Sequence, residues 1–313
     1  MQIIWNINTL TPTGPSIISV GTFDGVHRGH QAILRELQNR AQHTGACATM
    51  VTFEPHPQLV LQNMERSAIG ILTSIEEKIE ILNGLGLDRL VVAHFSPSFA
   101  ALHPQFFVEQ ILINKLQMKQ IIIGHDHAFG NKRSGDLALL EELAQPAGFR
   151  VESLAPMCAA GEIISSTLIR KCLSTGEIDK ATQLLGRPYS LNGMVVHGQG
   201  AGRRLGYPTI NLRPFSQYKL IPGNGIYASK TYIGGQPYQS VTYIGTRPTY
   251  GQSERVIETY LLDFNKEVYG EEVNIEFIAY IRDDEKFTNP AELVQQISRD
   301  IYQSMELLAK QPS

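Results

Sequence analysis

The chain has 313 residues, of which 42% are hydrophobic and 18% are charged, and its formal net charge is −3. A chain of this length can bury two modest cores, so we expect two domains, and the slight acidity argues against a nucleic-acid partner. Cys47, Cys158 and Cys172 form no C-x-x-C pair, which indicates reduced thiols. Because no leader pattern and no membrane-length apolar segment is found, we expect a soluble cytoplasmic protein with no membrane partner.

Strand and helix patterns alternate through the first half of the chain. Apolar strands are predicted at residues 17–20, 46–53, 89–93, 120–124 and 149–154, with helices near 31–41, 75–82, 104–116 and 136–147. The run TSIEE at residues 73–77 has the pattern of a helix capping box. This alternation predicts an α/β domain with a parallel sheet, whose ligands bind beyond the carboxyl ends of the strands.

A glycine-rich run, GTFDGVHRGH, joins the first strand to the first helix at residues 21–30. Its glycines let backbone N–H groups approach an anion, and the helix N-terminus adds a positive dipole end. His27 and His30 can stabilise charge on an attacked phosphorus and on leaving pyrophosphate. The alternative is a surface turn that carries two histidines, but the preceding GTFDG favours a phosphate site.

This run resembles the G-x-F-D-G-x-H-x-G-H motif of the H-x-G-H nucleotidyltransferases, in the form found in bacterial bifunctional riboflavin kinase/FAD synthetases. The resemblance implies a Rossmann-like nucleotidyltransferase domain in which His27 and His30 are catalytic. It also implies that the glycines and the phenylalanine of the run bind ATP: Gly21, Phe23, Gly25 and Gly29.

A second glycine-rich segment follows the fourth strand at residues 124–135 and carries a carboxylate, an aromatic ring and a basic pair. It suits a nucleotide or flavin phosphate, although a glycine-rich surface loop is the alternative. The resemblance assigns ATP binding to Asp126. His127 stands where the family has phenylalanine, and no further ligand spacing supports a metal beside it.

The run SSTLIR at residues 165–170 opens a short predicted helix. A helix start is an anion site, and Arg170 can contact a phosphate oxygen bidentately. An ordinary capped helix explains the serines equally well. The resemblance implies that Ser166, Thr167 and Arg170 hold the ATP triphosphate.

The pattern changes near residue 186. Valine- and tyrosine-rich strands are predicted at residues 190–197, 225–233, 239–243, 257–264 and 273–282, which indicates a compact antiparallel β-barrel. A closing amphipathic helix is predicted at 290–310, with these residues on its buried face: Ala291, Val294, Ile297, Ile301 and Met305. We therefore predict domains at residues 1–185 and 186–313.

A third glycine-rich stretch begins the second domain at residues 198–211. Gly198, Gly202 and Gly206 would cradle phosphate, and the oxygens of Thr209 and Asn211 are hard ligands suited to Mg²⁺. A glycine-rich hairpin is the alternative. The stretch resembles the riboflavin kinase motif G-x-P-T-x-N, with Ile210 in the place of the usual alanine.

The run ETYLLDF begins at Glu258, where strand alternation would place Glu258 and Tyr260 on one face. A carboxylate beside ATP can take the proton from an attacking hydroxyl, whereas a single glutamate is more often only solvated. The resemblance to riboflavin kinases implies that Glu258 is the base.

Taken together, the motifs resemble one family over nearly the whole chain and in its domain order. The resemblance implies that the protein phosphorylates riboflavin to FMN and adenylylates FMN to FAD, with ATP as co-substrate in both steps and Mg²⁺ as cofactor. Two alternatives are an adenylyltransferase with one active module or another acceptor, and a non-catalytic flavin-binding protein. The oligomeric state is left open by the sequence.

Overall fold

The structure is a computed structural model that describes residues 1–7, 10, 14–61, 70–124, 135–159, 161–198, 200–249 and 252–310. The chain divides into two compact units, Met1–Ser166 and Thr167–Ser313. None of the helices in these described ranges is long and apolar enough to cross a membrane.

The first unit contains the alternating elements that the sequence predicts, together with a few short ones. They are β1 (Gln2–Ile4), β2 (Ser16–Val20), α1 (Arg28–Thr44), β3 (Cys47–Glu54), α2 (Pro57–Leu61), α3 (Ile75–Gly84), β4 (Arg89–His94), α4 (Pro97–Ala100), α5 (Pro104–Phe106), a π-helix (Phe107–Lys115), β5 (Met118–Gly124), α6 (Leu137–Ala147), β6 (Arg150–Leu154), β7 (Cys158–Ala159) and β8 (Glu162–Ile163).

Six of these strands form a parallel sheet in the order β1-β4-β3-β2-β5-β6, as predicted for an α/β domain. Both faces are covered, because Ile18 and Val20 of β2 belong to one core cluster while Ile17 packs into the other with Leu34 and Leu37 of α1. After β2, the chain extends the sheet on one side with β3 and β4 and then on the other side with β5 and β6. The carboxyl end of β2 is therefore the switch point, where open α/β sheets bind ligands.

The second unit contains an antiparallel barrel and its flanking helices. Its elements are α7 (Ser166–Ser174), α8 (Ile178–Leu185), β9 (Tyr189–Val196), α9 (Ala201–Arg204), β10 (Thr209–Pro214), β11 (Gly225–Ile233), β12 (Gln236–Thr249), β13 (Gln252–Leu261), β14 (Glu272–Arg282) and α10 (Pro290–Ala309). The barrel closes in the order β10-β13-β12-β11-β14-β9. Helix α8 packs against β9 and β14 and so lies in this unit. The domain boundary at residue 186 stays a prediction.

Five fully buried hydroxyl side chains are joined among β11, β12 and β13. The oxygen–oxygen distances are 2.9 Å for Thr231–Ser240, 2.8 Å for Ser240–Ser229, 2.8 Å for Ser229–Thr242 and 3.0 Å for Thr242–Thr259. The Ser240 hydroxyl also donates to the Ser229 carbonyl oxygen, at 3.0 Å. Each buried hydroxyl therefore has a hydrogen-bonding partner, which removes the penalty of burying a polar group.

Helix α10 covers β11, β12 and β14 through a face that overlaps the predicted one only in part: Val294, Ile297 and Ile301 are half-buried. The prediction is wrong at Ala291, which is exposed, and at Met305, whose side chain is 47% exposed. The buried residues are instead Asp300, Ser304 and Leu308.

Two of those buried residues are polar, and both have hydrogen-bonding partners in the barrel. Asp300 accepts two hydrogen bonds from Arg282 of β14, from Nε at 2.9 Å and from Nη2 at 2.8 Å. The Ser304 hydroxyl donates to the Ser240 carbonyl oxygen at 3.2 Å. The packing face of α10 thus combines an ion pair and a hydrogen bond with the apolar contact of Leu308 against Ala228 and its neighbours.

Candidate active sites

The first candidate site lies at the carboxyl end of β2, in the turn that leads into α1. The imidazole rings of His27 and His30 are stacked, with their centroids 3.6 Å apart and their planes at 17°. His27 is the N-cap of α1, and its Nδ1 accepts a hydrogen bond from the His30 backbone N at 3.4 Å. The predicted catalytic pair therefore meets at a helix N-terminus, where the dipole favours bound anions.

The turn before His27 has an unusual backbone. Phe23, Gly25 and Val26 have φ values of 46°, 85° and 38°, and two of these three residues carry side chains that disfavour this region. Phe23 is buried and its ring meets the His30 ring edge-on, with centroids 5.3 Å apart. At Gly29, a Cβ atom would lie 3.2 Å from the His27 ring, so glycine permits the close approach of this ring to the backbone of residue 29.

Polar contacts from the start of α3 fix this turn in place. The buried Asp24 carboxylate accepts hydrogen bonds from the backbone N–H groups of Leu72, at 3.0 Å, and Thr73, also at 3.0 Å. The Gly25 backbone N donates in turn to Thr73 Oγ1 at 3.0 Å. The predicted capping box of α3 is present, with Ser74 as N-cap and Glu77 as its partner.

Lys78, which sequence reasoning missed, lies behind the same turn and is only 3% exposed. Its Nζ donates to the Thr22 carbonyl oxygen at 2.6 Å and to Thr52 Oγ1 at 3.1 Å. Burial lowers the pKa of the Lys78 ammonium, against the opposing effect of Asp24 and Glu54. Burial likewise raises the pKa of the Glu54 carboxyl, and Lys78 opposes that shift.

The third predicted motif of this site starts α7. The Ser166 hydroxyl donates to the Asp24 carbonyl oxygen at 2.8 Å, so this serine contacts the histidine turn. Thr167 is exposed and Arg170 is half-buried. Their contact with triphosphate stays a prediction, and Asp126 and His127 lie outside the described residues.

An aromatic cluster follows the ends of β3 and β4. The rings of Phe53, Phe95 and Phe99 have centroids 5.7 to 5.9 Å apart, and Phe99 also contacts Phe107 at 5.8 Å. All but Phe107 are half-buried, so they offer planar apolar surface at the ligand-binding edge of the sheet. The sequence signal for this cluster was weak, because its members come from three separate segments.

The second candidate site is assembled by the register of β10 and β13. Thr209 pairs with Tyr260, and Asn211 pairs with Glu258. Glu258 and Tyr260 are half-buried between the buried residues Ile257, Thr259 and Leu261, which confirms the predicted alternation. Thr209 Oγ1 donates to Glu258 Oε2 at 3.2 Å. The predicted metal ligands and the predicted base are therefore side by side, although Thr209 and Asn211 lie in a strand where the sequence suggested only a loop.

The glycines before β10 pack closely on these side chains. A Cβ atom at Gly198 would lie 2.2 Å from Asn211 Nδ2, and one at Gly202 would lie 2.3 Å from the Tyr207 carbonyl oxygen and 3.3 Å from Thr209 Oγ1. Gly206 has a φ of +88°, which favours glycine. Side chains at Gly198 or Gly202 would therefore displace Asn211 or Thr209.

The donor atoms of this second site fit Mg²⁺. Thr209, Asn211 and Glu258 present hydroxyl, amide and carboxylate oxygens on one face, and hard oxygen ligands are what this ion prefers. Among the described residues, no group of three or more histidine, cysteine, aspartate or glutamate side chains could hold a metal ion. Any ion would therefore be shared between these few oxygens and the phosphates of a nucleotide.

The fold and both candidate sites together indicate a class of two-domain protein that has a separate candidate phosphate-binding site in each domain. Comparison with known families agrees: the FAD synthetase model matches residues 11–168 and the riboflavin kinase model matches residues 185–308. The chain belongs to the bifunctional riboflavin kinase/FMN adenylyltransferase family.

Curated relatives of that name match along almost their whole length. The protein from Listeria monocytogenes is 37% identical over 295 residues, covering 94% of this chain and 93% of its own length. The protein from Buchnera aphidicola is 38% identical, covering 96% of this chain and 97% of its own length. The protein from Escherichia coli K12 is 35% identical, covering 96% of both chains.

A solved structure has a similar fold throughout. It is a crystal structure named as a macrolide-efflux protein from Streptococcus pneumoniae, with a TM-score of 0.87, 30% identity, and coverage of 97% of this chain and 99% of its own. The two family models, and not that name, indicate the activities of the present chain.

Proposed function

We propose that the two sites described above carry out the two successive reactions of this family. The chain is a bifunctional enzyme of flavin cofactor synthesis: it phosphorylates riboflavin with ATP to give FMN, then adenylylates FMN with a second ATP to give FAD and pyrophosphate. The observation that carries the assignment of roles is that the motif residues are brought into contact. His27 stacks on His30 at the start of α1, and Thr209 and Asn211 lie beside Glu258 although they are almost fifty residues away from it in the chain.

In the kinase step, Glu258 acts as the general base. Its carboxylate removes the proton from the terminal hydroxyl of riboflavin as that oxygen attacks the γ-phosphorus of ATP, and ADP leaves. Thr209 supports this role, because its hydroxyl donates to Glu258 Oε2 and so orients the carboxylate. The backbone N–H groups of the loop that contains Gly198, Gly202 and Gly206 hold the phosphates.

Mg²⁺ would be held by Thr209 and Asn211 in this step. When bound, the ion neutralises phosphate charge and orients the nucleotide. Because the Thr209 proton is directed at Glu258, the lone pairs of its oxygen are available for a cation.

In the adenylyl-transfer step, the FMN phosphate attacks the α-phosphorus of ATP and pyrophosphate leaves. His27 and His30, stacked at the start of α1, stabilise the charge that develops on the transferring and leaving phosphates. Ser166, Thr167, Arg170 and Asp126 hold the triphosphate in this proposal. The half-buried phenylalanines Phe53, Phe95 and Phe99 provide a surface on which the flavin ring can pack.

The protein is further proposed to act in the cytoplasm. Cys47, Cys158 and Cys172 are all free thiols, which is typical of a reducing compartment.

The decisive experiment is a chromatographic time course with riboflavin, excess ATP and Mg²⁺. Wild-type protein should form FMN first and FAD afterwards. Glu258→Gln should lose FMN formation by about 100-fold or more, while still converting supplied FMN to FAD. His30→Ala should show the opposite pattern.

The two variants serve as controls for each other, because each should retain one activity. If Glu258→Gln makes FMN at the wild-type rate, the base is another residue. If His30→Ala still makes FAD at the wild-type rate, the histidine turn is not the adenylyl-transfer site. FAD made only from supplied FMN by the wild type would indicate a single active module.

A further inference from the structure

We propose that Lys78 is a positioning residue for adenylyl transfer, acting as the centre of a clamp formed by residues 72–78. This inference rests on the proposed function of the histidine turn. The clamp comes from the loop before α3 and the first turn of α3, about fifty residues after the motif in the chain. It carries no group that belongs to the histidine motif itself.

The clamp holds the turn from Thr22 to Gly25 by hydrogen bonds in both directions. Asp24 accepts from the backbone of Leu72 and Thr73, Gly25 donates to the Thr73 hydroxyl, and Lys78 donates to the Thr22 carbonyl. Every residue between Thr22 and Gly25 except Phe23 is therefore held by the clamp. Phe23 is fixed separately, by burial and by its contact with the His30 ring.

The backbone explains why such a clamp is needed. Phe23 and Val26 hold positive φ angles of 46° and 38°, which side-chain-bearing residues adopt only when their surroundings enforce it. This strained turn leads directly into His27. Relaxation of the turn would move the N-cap of α1 and separate the histidine pair from the reacting phosphates, and misplacement by about 1 Å can lower a rate by about 100-fold.

Charge gives Lys78 a second effect. Asp24 is buried under the turn and Glu54 ends β3 beside it, so two carboxylates lie behind a site proposed to receive triphosphate. The Lys78 ammonium is a positive charge that interacts with both of them, and both raise its pKa against the effect of burial. Without Lys78, uncompensated negative charge would oppose the binding of a polyanion.

The test uses two substitutions that keep side-chain volume nearly constant. Lys78→Met removes both the charge and the donor, and Thr73→Val removes the acceptor of the Gly25 N–H. Thr73→Ser keeps that acceptor and is the matched control. Each full-length protein is assayed for FAD formation from FMN and ATP, for FMN formation from riboflavin, and for thermal unfolding.

We expect Lys78→Met to lower kcat for FAD formation by about 100-fold, with a raised KM for ATP and with FMN formation within twofold of wild type. Thr73→Val should lower kcat for FAD formation by about tenfold with little change in KM for ATP, because it removes the hydrogen bonds of the Thr73 hydroxyl to the Gly25 N–H and to the Asp24 carboxylate but removes no charge. Thr73→Ser should restore the rate. The split between kcat and KM separates the two effects of Lys78. A loss of folded protein alone would leave KM unchanged and would appear as an earlier transition in thermal unfolding.

Three results would overturn the proposal. One is wild-type FAD formation by Lys78→Met. Another is equal activity of Thr73→Val and Thr73→Ser. The third is a parallel loss of both enzymatic activities with an earlier thermal transition, which would assign the clamp a purely structural role. His30→Ala is measured alongside as a control for the proposed function. If His30→Ala also keeps FAD formation, the histidine turn is not the adenylyl-transfer site, and it is the proposed function that is refuted and not only the role of the clamp.

Discussion

Substitution of Gly202 by alanine tests whether the glycine loop holds Thr209 in place. The added Cβ would lie 2.3 Å from the Tyr207 carbonyl oxygen, where ordinary contact begins at 3.4 Å, so the loop has to shift by the difference of about 1.1 Å. Tyr207 resists this movement, because its backbone N donates to the Gly202 carbonyl at 2.9 Å and its hydroxyl contacts Ser298 Oγ at 2.8 Å. Thr209, only two residues further on, has to move as well.

The size of the effect follows from the cost of overpacking. Forcing one extra methyl group into a filled site costs about 1–3 kcal/mol, which corresponds to about 5- to 150-fold in rate. We therefore expect Gly202→Ala to lower kcat/KM for FMN formation within that range. The adenylyl-transfer activity of the same preparation should stay unchanged, because its proposed residues lie in other elements.

Gly200→Ala is the matched control for this experiment. Gly200 has a φ of +66° and no neighbour within 4 Å of an added Cβ, so alanine would strain the backbone without striking Tyr207 or Thr209. Its kinase activity should stay within threefold of wild type. Equal losses in the two variants would show that loop strain, and not contact with Thr209, governs the kinase, and full activity of Gly202→Ala would refute the reasoning altogether.

Three further predictions concern stability. Asp300→Ala leaves the Arg282 guanidinium without its bidentate partner. In denaturant titrations it should lower the free energy of unfolding of the barrel by about 3 kcal/mol, and a loss under about 1 kcal/mol would mean that the ion pair is dispensable. Leu37→Ala empties a fully buried position under α1 and should destabilise the first unit by about 2–5 kcal/mol, with the barrel transition unchanged. Burial raises the pKa of Tyr227 well above its usual value and, together with a hydrogen bond to Asp283, raises the pKa of Tyr280 to about 12. Because the unfolded chain then loses tyrosine protons first, the barrel should become less stable as pH rises from 10 towards 12, and replacing both residues by phenylalanine should flatten that dependence.

The sequence predicted the elements whose signals are local. The glycine and histidine spacing of the first motif predicted a strand–turn–helix unit, and the TSIEE run predicted the capping box of α3, because these patterns depend on neighbouring residues. The alternation around Glu258 was likewise readable, since strand periodicity fixes which residues share a face.

The features that sequence reasoning missed depend on contacts between distant segments. The strand β10 is not predicted from the sequence, because its six residues become a strand only through pairing with β9 and β13 on either side. Lys78 belongs to no motif in the sequence, and only the fold brings its ammonium to the Thr22 carbonyl oxygen. The buried face of α10 was misplaced because apolar periodicity cannot recognise Asp300 and Ser304 as packed residues when their partners lie in other strands.

Among the buried hydroxyls of the barrel, the donor and the acceptor of each hydrogen bond are fixed. Each hydroxyl has one proton to give, and that of Ser240 goes to the Ser229 carbonyl, so Ser240 has to accept from both Thr231 and Ser229. Thr242 then has to donate to Ser229, and Thr259 to Thr242. The protons of the other four hydroxyls are therefore directed along the network towards Ser240, from β13 on one side and from β11 on the other. Thr259 is at one end of the network, so loss of its hydroxyl would remove one hydrogen bond. Loss of the Ser240 hydroxyl would leave two buried donors, Thr231 and Ser229, without their acceptor, and the remaining hydroxyl protons would no longer be held in one arrangement.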